Sequence, residues 1–267
     1  SDVLMPDGKL IQQPSTHLMG QKFAKAFDAK FKNQQGKEEY LWTTAYGPAM
    51  SRILASIVST HGDDKGLILP FNLSPIQIVI VPIYNKDNKN KILKYAAQIN
   101  NKLKEIKTHI DLRENLSPGW KFNEWELKGV PFRIEIGEKE LKSKKLTFYN
   151  RSTNKKENLS LKDLSKIKEF GEKYDKKLLQ KADKFMKGKI ISCETKENLK
   201  KTLTNNEIAK VNFCSTDSEG TACAEHIERQ LNAEVRGTFA NKSEKASGTC
   251  IICKEPAKEV VYIGKSY

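Results

Sequence analysis

The sequence has no apolar run long enough to cross a membrane. A membrane-spanning helix needs about 20 mostly apolar residues, whereas the strongest apolar run of this chain, IQIVIVPI at Ile76–Ile83, has the length of a strand. The first residues also lack a basic segment followed by an apolar one, so the pattern predicts no secretory leader. We therefore expect a cytoplasmic protein with no membrane partner.

Cysteine is scarce, with five in 267 residues, and four of the five lie between positions 214 and 253. In a cytoplasmic protein this usage argues against a disulfide framework and favours a metal site or isolated buried thiols. Cys250 and Cys253 have the Cys-x2-Cys spacing of a zinc knuckle. Cys214 and Cys223 are separated by eight residues, so the loop between them must double back. The four cysteines predict one closed structural zinc site.

Two alternatives to this ligand set remain open. The four cysteines could be small buried residues that hold no metal. His226, three residues after Cys223, could replace that cysteine as a ligand. Cys193 is isolated from the other cysteines and is predicted to lie in the core.

Acidic residues are fewer than basic ones, 33 against 47, which gives a formal net charge of +14. Such an excess indicates either an ordinary solvated surface or a polyanionic partner. Lysines and arginines favour a polyanion because their binding to phosphates releases condensed counterions. Charge alone does not choose between these two interpretations.

Hydrophobic periodicity predicts alternating strands and helices. In the first 70 residues we expect a helix at Gly20–Phe31, a strand at Glu38–Thr44 and a helix at Ala49–Thr60. A new unit then begins with the buried strand at 76–83, followed by a helix through residues 92–106 and by strands at 109–112, 132–137 and 145–151. This order predicts an α/β layer with mostly parallel pairing. Ser160 and Asp163 resemble a capping box that opens a basic helix to about Lys187.

Aromatic residues make up only 8% of the chain, yet they cluster between Ser117 and Leu141 and alternate there with cations. Rings between cations suit single-stranded nucleic acid, because unstacked bases lie on the rings while the cations bind phosphates. The alternative is that the rings belong to the core and the charges face solvent, and the pattern alone slightly favours this alternative. The residues concerned are Trp120, Lys121, Phe122, Trp125, Lys128, Phe132, Arg133 and Lys139.

Arg52 stands on a predicted helix after the glycine-containing turn TTAYGPAMS. A single arginine is usually a surface residue. Behind a glycine turn it could instead bind a phosphate in a bidentate manner.

Taken in order, several stretches are similar to archaeal/eukaryotic-type prolyl-tRNA synthetases, which are class II aminoacyl-tRNA synthetases. The similar stretches are MPDGKLIQQPSTHLMGQKFAKAF, SRILASIVSTHGDDKGLILP, SPIQIVIVPIY, SPGWKFNEWELKGVPFRIEIG and the cysteine-containing C-terminal part. The resemblance implies a multidomain α/β and α+β protein in three parts. Residues 1–73 would be the C-terminal half of a class II antiparallel-sheet catalytic domain, 74–187 an α/β anticodon-binding domain, and 188–267 a small α+β zinc-binding domain.

The resemblance also implies an activity, the ATP-dependent conversion of proline to prolyl-adenylate and its transfer to tRNA(Pro), with Mg²⁺ at the phosphates. By position in the family motifs, Gln12, Thr16 and Arg52 would contact ATP. His17 and Tyr46 would line the proline pocket, and Arg52 and His17 would be the catalytic residues.

The remaining family positions concern tRNA and zinc. Phe122, Glu126, Arg133 and Lys139 fall on positions that read anticodon bases, which favours the nucleic-acid interpretation of the aromatic segment. The terminal Tyr267 would approach the active site. The zinc ligands would be Cys214, Cys223, Cys250 and Cys253.

Two family motifs are not found in these 267 residues. Motif 1 forms the dimer interface of class II enzymes, and motif 2 supplies an arginine for the α-phosphate. We therefore expect the chain to be the C-terminal portion of an enzyme that is a homodimer when complete, and to be inactive alone. The alternatives are a non-catalytic tRNA-binding factor and one half of a split synthetase.

Overall fold

A computed structural model describes all 267 residues, and they form two compact units. The terminal unit comprises Ser1–Ser56 together with Gly188–Tyr267, and the central unit comprises Ile57–Lys187. None of the helices combines the length and the apolar character that a membrane crossing requires. The three-part domain division stays a prediction.

The chain contains fifteen strands, eight α-helices and two short 3₁₀ helices at Asp163–Lys166 and Ser218–Gly220. The strands are β1 (Asp2–Leu4), β2 (Leu10–Gln12), β3 (Ser15–Gly20), β4 (Lys30–Lys32), β5 (Glu38–Tyr40), β6 (Thr43–Gly47), β7 (Ile78–Pro82), β8 (Thr108–Ile110), β9 (Phe132–Ile136), β10 (Lys145–Asn150), β11 (Lys155–Ser160), β12 (Ile190–Ser192), β13 (Ile208–Phe213), β14 (Glu234–Gly237) and β15 (Glu259–Gly264). The helices are α1 (Lys22–Ala26), α2 (Met50–His61), α3 (Lys89–Lys102), α4 (Pro118–Leu127), α5 (Glu138–Ser143), α6 (Ile167–Gly188), α7 (Lys196–Thr204) and α8 (Thr221–Leu231).

The central unit is built on a five-stranded sheet with the order β11-β10-β9-β7-β8. Strand β7 is buried along its whole length and pairs in parallel with both β8 and β9, as its continuous apolar run predicts. Strands β10 and β11 extend the sheet by antiparallel pairing. The sequence pattern does not predict β11, because only Leu159 of its six residues is buried.

The core of the central unit places aromatic rings from the sheet against helix α6. The rings of Phe132 and Tyr174 meet edge to face with centroids 5.3 Å apart, and Phe71 lies 5.5 Å from Phe132. Gly171 faces Phe71 so closely that a Cβ there would lie 2.2 Å from the ring. Asp175 accepts hydrogen bonds from the backbone N–H groups of Phe71 and its neighbour. Helix α6 is therefore held to the segment before β7 by both packing and hydrogen bonds.

A buried carboxylate holds helix α4 against the end of β8. Asp111 is 1% exposed and accepts two hydrogen bonds from the Arg113 guanidinium, at 2.7 and 2.9 Å, and one from Trp125 Nε1 at 2.9 Å. The buried Lys121 ammonium donates to the Asp111 carbonyl at 3.1 Å. Burial alone would raise the pKa of Asp111, but the hydrogen bonds from Arg113 and Trp125 and the charge of Lys121 outweigh it and lower the pKa well below the ordinary 3.8.

This network predicts acid sensitivity of the central unit. Because the folded pKa of Asp111 is depressed, the stability it contributes is present above the unfolded value near 3.8 and is lost as the pH falls through the folded pKa. We expect Asp111→Asn to lower the free energy of unfolding at pH 7 by about 3 kcal/mol, because it leaves a buried lysine without its charge partner. Urea unfolding at pH 7 and below pH 4, followed by circular dichroism, measures both effects. The exposed Asp87, which forms no ion pair, supplies the control Asp87→Asn, for which no such loss is expected.

The terminal unit contains a four-stranded sheet with the order β12-β13-β15-β14. Only β12 and β13 are parallel. The N-terminal hairpin of β1 and β2 joins this unit. The Leu10 N–H donates to the Lys265 carbonyl at 2.8 Å, and Arg236 forms a bidentate ion pair with Asp2. Gly8 lies so close to Asn206 that a Cβ would meet the Asn206 carbonyl oxygen at 2.1 Å. The two ends of the sequence therefore fold together.

The first 50 residues depart from the sequence expectation in two places. The predicted helix at Gly20–Phe31 is wrong beyond its first turns, because α1 ends at Ala26 and Phe31 lies in β4. The reversal occurs at Asp28, which adopts a left-handed φ of +51° that a helix cannot continue through. The predicted strand at Glu38–Thr44 is divided between β5 and the start of β6. The helix predicted at Ala49–Thr60 is confirmed as α2.

Candidate functional site

The polar segment that follows β2 forms one strand of an antiparallel pair. In the pairing of β3 with β6, Thr16 lies opposite Tyr46 and His17 lies opposite Ala45. Ser15 Oγ is 3.0 Å from His17 Nε2. The side chains of Thr16, His17 and Tyr46 are exposed. The structure thus places the predicted proline-pocket residues His17 and Tyr46 on one two-stranded ribbon but on opposite faces of it, because directly opposed residues share a face and successive residues alternate.

Arg52 lies in the first turns of α2, beside the end of β2. Its guanidinium Nη1 donates to the Gln12 carbonyl at 3.4 Å. The register between helix and strand is set by two residues that the sequence reasoning missed. Gln13 is 7% exposed and its Nε2 donates to Ser56 Oγ at 2.9 Å, and Ser56 Oγ donates to the Arg52 carbonyl at 2.8 Å. Gln13 and Ser56 are 43 residues apart in the sequence, so no local sequence pattern predicts their contact.

A cavity of about 320 Å³ within the terminal unit lies between two predicted nucleotide-binding residues, Gln12 and Arg52, and the C-terminal Tyr267. Its polar lining is Gln12, Arg52, Glu234, Arg236, Ser266 and Tyr267. Ser266 Oγ donates to Glu234 at 2.6 Å, and the Lys9 ammonium lies 5.0 Å from the centroid of the Tyr267 ring. The structure therefore places Gln12, Arg52 and Tyr267 around one space, whereas Thr16, His17 and Tyr46 do not line it.

The second group of predicted residues centres on Arg133 of strand β9. Its guanidinium is nearly fully buried and lies between two rings, 4.1 Å from the centroid of Phe122 and 4.2 Å from that of Tyr149. Nη1 donates to Glu126 at 2.8 Å, and Nε and Nη2 donate to one oxygen of Glu135 at 3.1 and 3.0 Å. Arg133 thus fixes Phe122 and Glu126, which both lie on α4.

The other predicted base-reading residue, Lys139, does not join this cluster. It is exposed on the short helix α5, beside Glu138 and Lys142. Tyr149 and Lys156, which the sequence reasoning missed, belong to the cluster around Arg133. Burial is the main cause that raises the pKa of Tyr149 to about 12, and the negative charge of Glu126 is the second cause. Lys156 forms an ion pair with Glu135 at 2.8 Å. An alternating arginine and glutamate in a buried strand, RIE, is the one sequence signal of this network.

The four cysteines of the C-terminal region converge. Their sulfur atoms all lie within 4.8 Å of one another, and no disulfide is formed. Four sulfurs around a tetrahedral zinc with bonds of about 2.3 Å are about 3.8 Å apart, so the group fits this ion after a small contraction. His226 is exposed and lies outside the group. Cys193 is buried among apolar residues, as predicted.

The surroundings of Cys250 also fit a cation, whereas burial raises the pKa of the Cys214 and Cys223 thiols. Burial alone would raise the pKa of Cys250, but backbone N–H groups of Cys253 and Ile252 point at its sulfur and lower the pKa to about 7. The Ile252 N–H lies 3.5 Å from this sulfur. N–H groups aimed at a thiolate are typical of the tight turn that holds two cysteines on one metal ion, and the four residues would hold zinc with no open position.

Comparison with known proteins gives consistent matches. Residues 77–169 match the family described as "Anticodon binding domain", and residues 196–267 match "Prolyl-tRNA synthetase, C-terminal". The whole chain is 38% identical to a proline–tRNA ligase of Thermofilum pendens and covers 56% of it. It is 32% identical to that of Nanoarchaeum equitans and covers 61% of it. The chain therefore spans slightly more than half the length of the curated relatives it matches.

A solved structure matches the whole fold. The Giardia lamblia prolyl-tRNA synthetase in complex with prolyl-adenylate superimposes with a TM-score of 0.91 at 29% identity. The match covers 100% of this chain and 57% of that one.

Proposed function

Because the chain matches the C-terminal part of prolyl-tRNA synthetases along its whole length, we propose that it supplies the anticodon recognition and one wall of the proline and ATP site of such an enzyme. The observation that carries the proposal is the anticodon-binding match at residues 77–169, which encloses the cluster of Phe122, Glu126 and Arg133. The resemblance expected from the sequence motifs is confirmed by these matches.

The cluster has the chemistry to recognise guanine. Proline codons begin with two cytosines, so the anticodon of a proline tRNA ends with two guanines. A carboxylate accepts hydrogen bonds from guanine N1–H and N2–H, and Glu126 is held for this by Arg133 at 2.8 Å. Phe122 offers a ring on the same helix for an unstacked base. Lys139 lies outside this cluster, so its expected contact with the anticodon rests on the resemblance alone.

The wall of the active site would be built from the terminal unit. Gln12, Thr16 and Arg52 would contact ATP, with Arg52 as a phosphate ligand, and His17 and Tyr46 would line the proline pocket. In the reaction, a proline carboxylate oxygen attacks the α-phosphorus and pyrophosphate leaves. A terminal hydroxyl of the tRNA then attacks the adenylate carbonyl and AMP leaves. Mg²⁺ would neutralise phosphate charge when bound, and the protein's part is positioning and electrostatic stabilisation.

The terminal unit has an apolar surface that suits a larger enzyme. Leu18 is 86% exposed and Trp42 is 79% exposed, and further large apolar side chains of the first 54 residues are also exposed, namely Phe23, Phe27, Tyr46, Met50 and Leu54. Exposed apolar side chains in this number mark an interaction surface. In the complete enzyme the part of the relatives that this chain does not cover would pack here and supply motifs 1 and 2, and the protein would be a cytoplasmic homodimer with structural zinc.

Proline-dependent exchange of ATP with pyrophosphate tests the proposal. We expect none from the 267-residue chain, because half of the catalytic site is absent from it. We expect exchange when the chain is joined to the preceding part of the Thermofilum relative, since that part supplies motifs 1 and 2. Robust exchange by the chain alone would contradict the proposal that essential catalytic groups lie outside it.

A further inference from the structure

The Lys65 ammonium lies beside the carboxylate of Glu126 and donates no hydrogen bond. Its ammonium lies 3.8 Å from Glu126 Oε2, beyond hydrogen-bond distance, and its side chain is 54% exposed. The other carboxylate oxygen, Oε1, is the one that Arg133 holds at 2.8 Å. Glu126 Oε2, on a side chain that is 12% exposed, and the Lys65 ammonium therefore lie side by side as an acceptor and a donor.

The other cations near this carboxylate are already committed. Arg133 gives its Nε and Nη2 donors to Glu135 and its Nη1 to Glu126. Lys156 donates to the second oxygen of Glu135 at 2.8 Å. Lys128 donates to Glu124 at 2.6 Å. Lys65 is the cation next to Glu126 whose donors are free for a ligand.

The turn that carries Lys65 is fixed to the helix that carries Glu126. Asp63 accepts a bidentate pair from the fully buried Arg151, whose Nε also donates to the Glu126 carbonyl at 3.1 Å. The Lys65 N–H donates to Asp63 Oδ1 at 2.9 Å. Gly66 has a φ of +124° and lies flush against Leu127, where a Cβ would meet the backbone at 2.5 Å. Arg151 thus holds both the turn and the end of α4, so the backbone positions that carry Lys65 and Glu126 keep a defined spacing.

We propose that Lys65 is a further specificity-determining residue, which donates a hydrogen bond to O6 of the guanine whose N1–H and N2–H are bound by Glu126. On the Watson–Crick edge of guanine the acceptor O6 stands next to the donor N1–H, so a carboxylate and an ammonium side by side complement this edge. Adenine, with an amino group in place of O6, would direct a donor at the ammonium. The inference rests on the proposed anticodon recognition.

Binding of the full chain to proline tRNAs with base analogues tests the proposal. Each of the last two anticodon guanines is replaced in turn by inosine, which keeps O6 and N1–H but lacks the 2-amino group, or by 2-aminopurine, which lacks both O6 and the N1–H donor. For the base that Lys65 contacts, we expect Lys65→Met to weaken binding of the guanine and inosine tRNAs about tenfold, and binding of the 2-aminopurine tRNA less than about twofold. Lys65→Arg, which keeps a donor, should restore most of the preference for O6.

Lys168→Met is the matched control, because it removes one exposed cation from the central unit away from this cluster. It should act equally on all three tRNAs. An equal loss on all three tRNAs with Lys65→Met, at both positions, would mean a phosphate contact and would overturn the inference. An unchanged affinity of the Lys65→Met chain for all three tRNAs would also overturn the inference. A wild-type chain that binds guanine and 2-aminopurine tRNAs equally at both positions would overturn the proposed function as well.

Discussion

Cys250→Ser should remove the zinc from the chain and unfold much of the C-terminal region. Cys250 is fully buried, and its sulfur lies within 4.8 Å of the three other cysteine sulfurs. A structural zinc site contributes on the order of 10 kcal/mol of binding free energy to the folded state. A serine hydroxyl is not deprotonated at neutral pH and is a poor zinc ligand. We therefore expect the loss of about one equivalent of metal and of several kcal/mol of stability.

Cys193→Ser is the matched control, because it makes the same chemical change at a second buried cysteine outside the cluster. Thr202 Oγ1 lies 3.3 Å from the Cys193 sulfur and can pair with the new hydroxyl, so a loss of only about 1 kcal/mol is expected, with full metal content. Metal analysis by mass spectrometry and thermal unfolding measure the two effects. A wild-type chain that contains no zinc after purification without chelators would contradict the metal assignment.

Arg52→Ala in the complete synthetase should slow adenylate formation up to about 10³-fold while tRNA binding stays unchanged. Arg52 lines the same cavity as Gln12 and Tyr267, and the one hydrogen bond of its guanidinium is a long one to the Gln12 carbonyl. The remaining donors are free for phosphate. Removing one preorganised donor to a developing negative charge slows a reaction about 10²- to 10³-fold, and a bidentate arginine belongs at the upper end.

The measurement is pyrophosphate exchange beside tRNA binding for the same preparation. Arg229→Ala is the control, because Arg229 is an exposed arginine of α8 that pairs with Glu225 on the same helix. It should leave both quantities unchanged. An Arg52→Ala enzyme with normal exchange would remove Arg52 from the ATP site.

Short-range patterns predicted most of the framework. The continuous apolar run at Ile76–Ile83 predicted the central strand, and the spacing of Cys250 and Cys253 predicted that their sulfur atoms would meet, as they do. Both features depend on residues that are neighbours in the sequence. The predicted helix at Gly20–Phe31 failed because its apolar spacing is helical, whereas the left-handed backbone at Asp28 is not visible in that pattern.

Long-range contacts could not be predicted. The bond between Gln13 and Ser56 and the ion pair of Arg236 with Asp2 join residues far apart in the sequence. The aromatic and basic segment was ambiguous for the same reason. Its pattern did not show that Trp125 is buried against Asp111 while Phe122 lies against Arg133. The core interpretation is confirmed for the rings of Trp125 and Phe132 but is wrong for the charges of Lys121 and Arg133, which are buried, and the nucleic-acid interpretation stays a prediction.

The preference of the chain for the proline anticodon tests the account most directly. Filter binding or fluorescence anisotropy would compare a proline tRNA with one whose last two anticodon guanines are replaced by adenines. We expect the replacement to weaken binding to the wild-type chain at least about 30-fold, since each of the two guanine edges contributes about 1–3 kcal/mol. Glu126→Ala should lose the part of this preference that comes from the one guanine whose N1–H and N2–H it binds. Equal affinity of the wild-type chain for the two tRNAs would contradict the account.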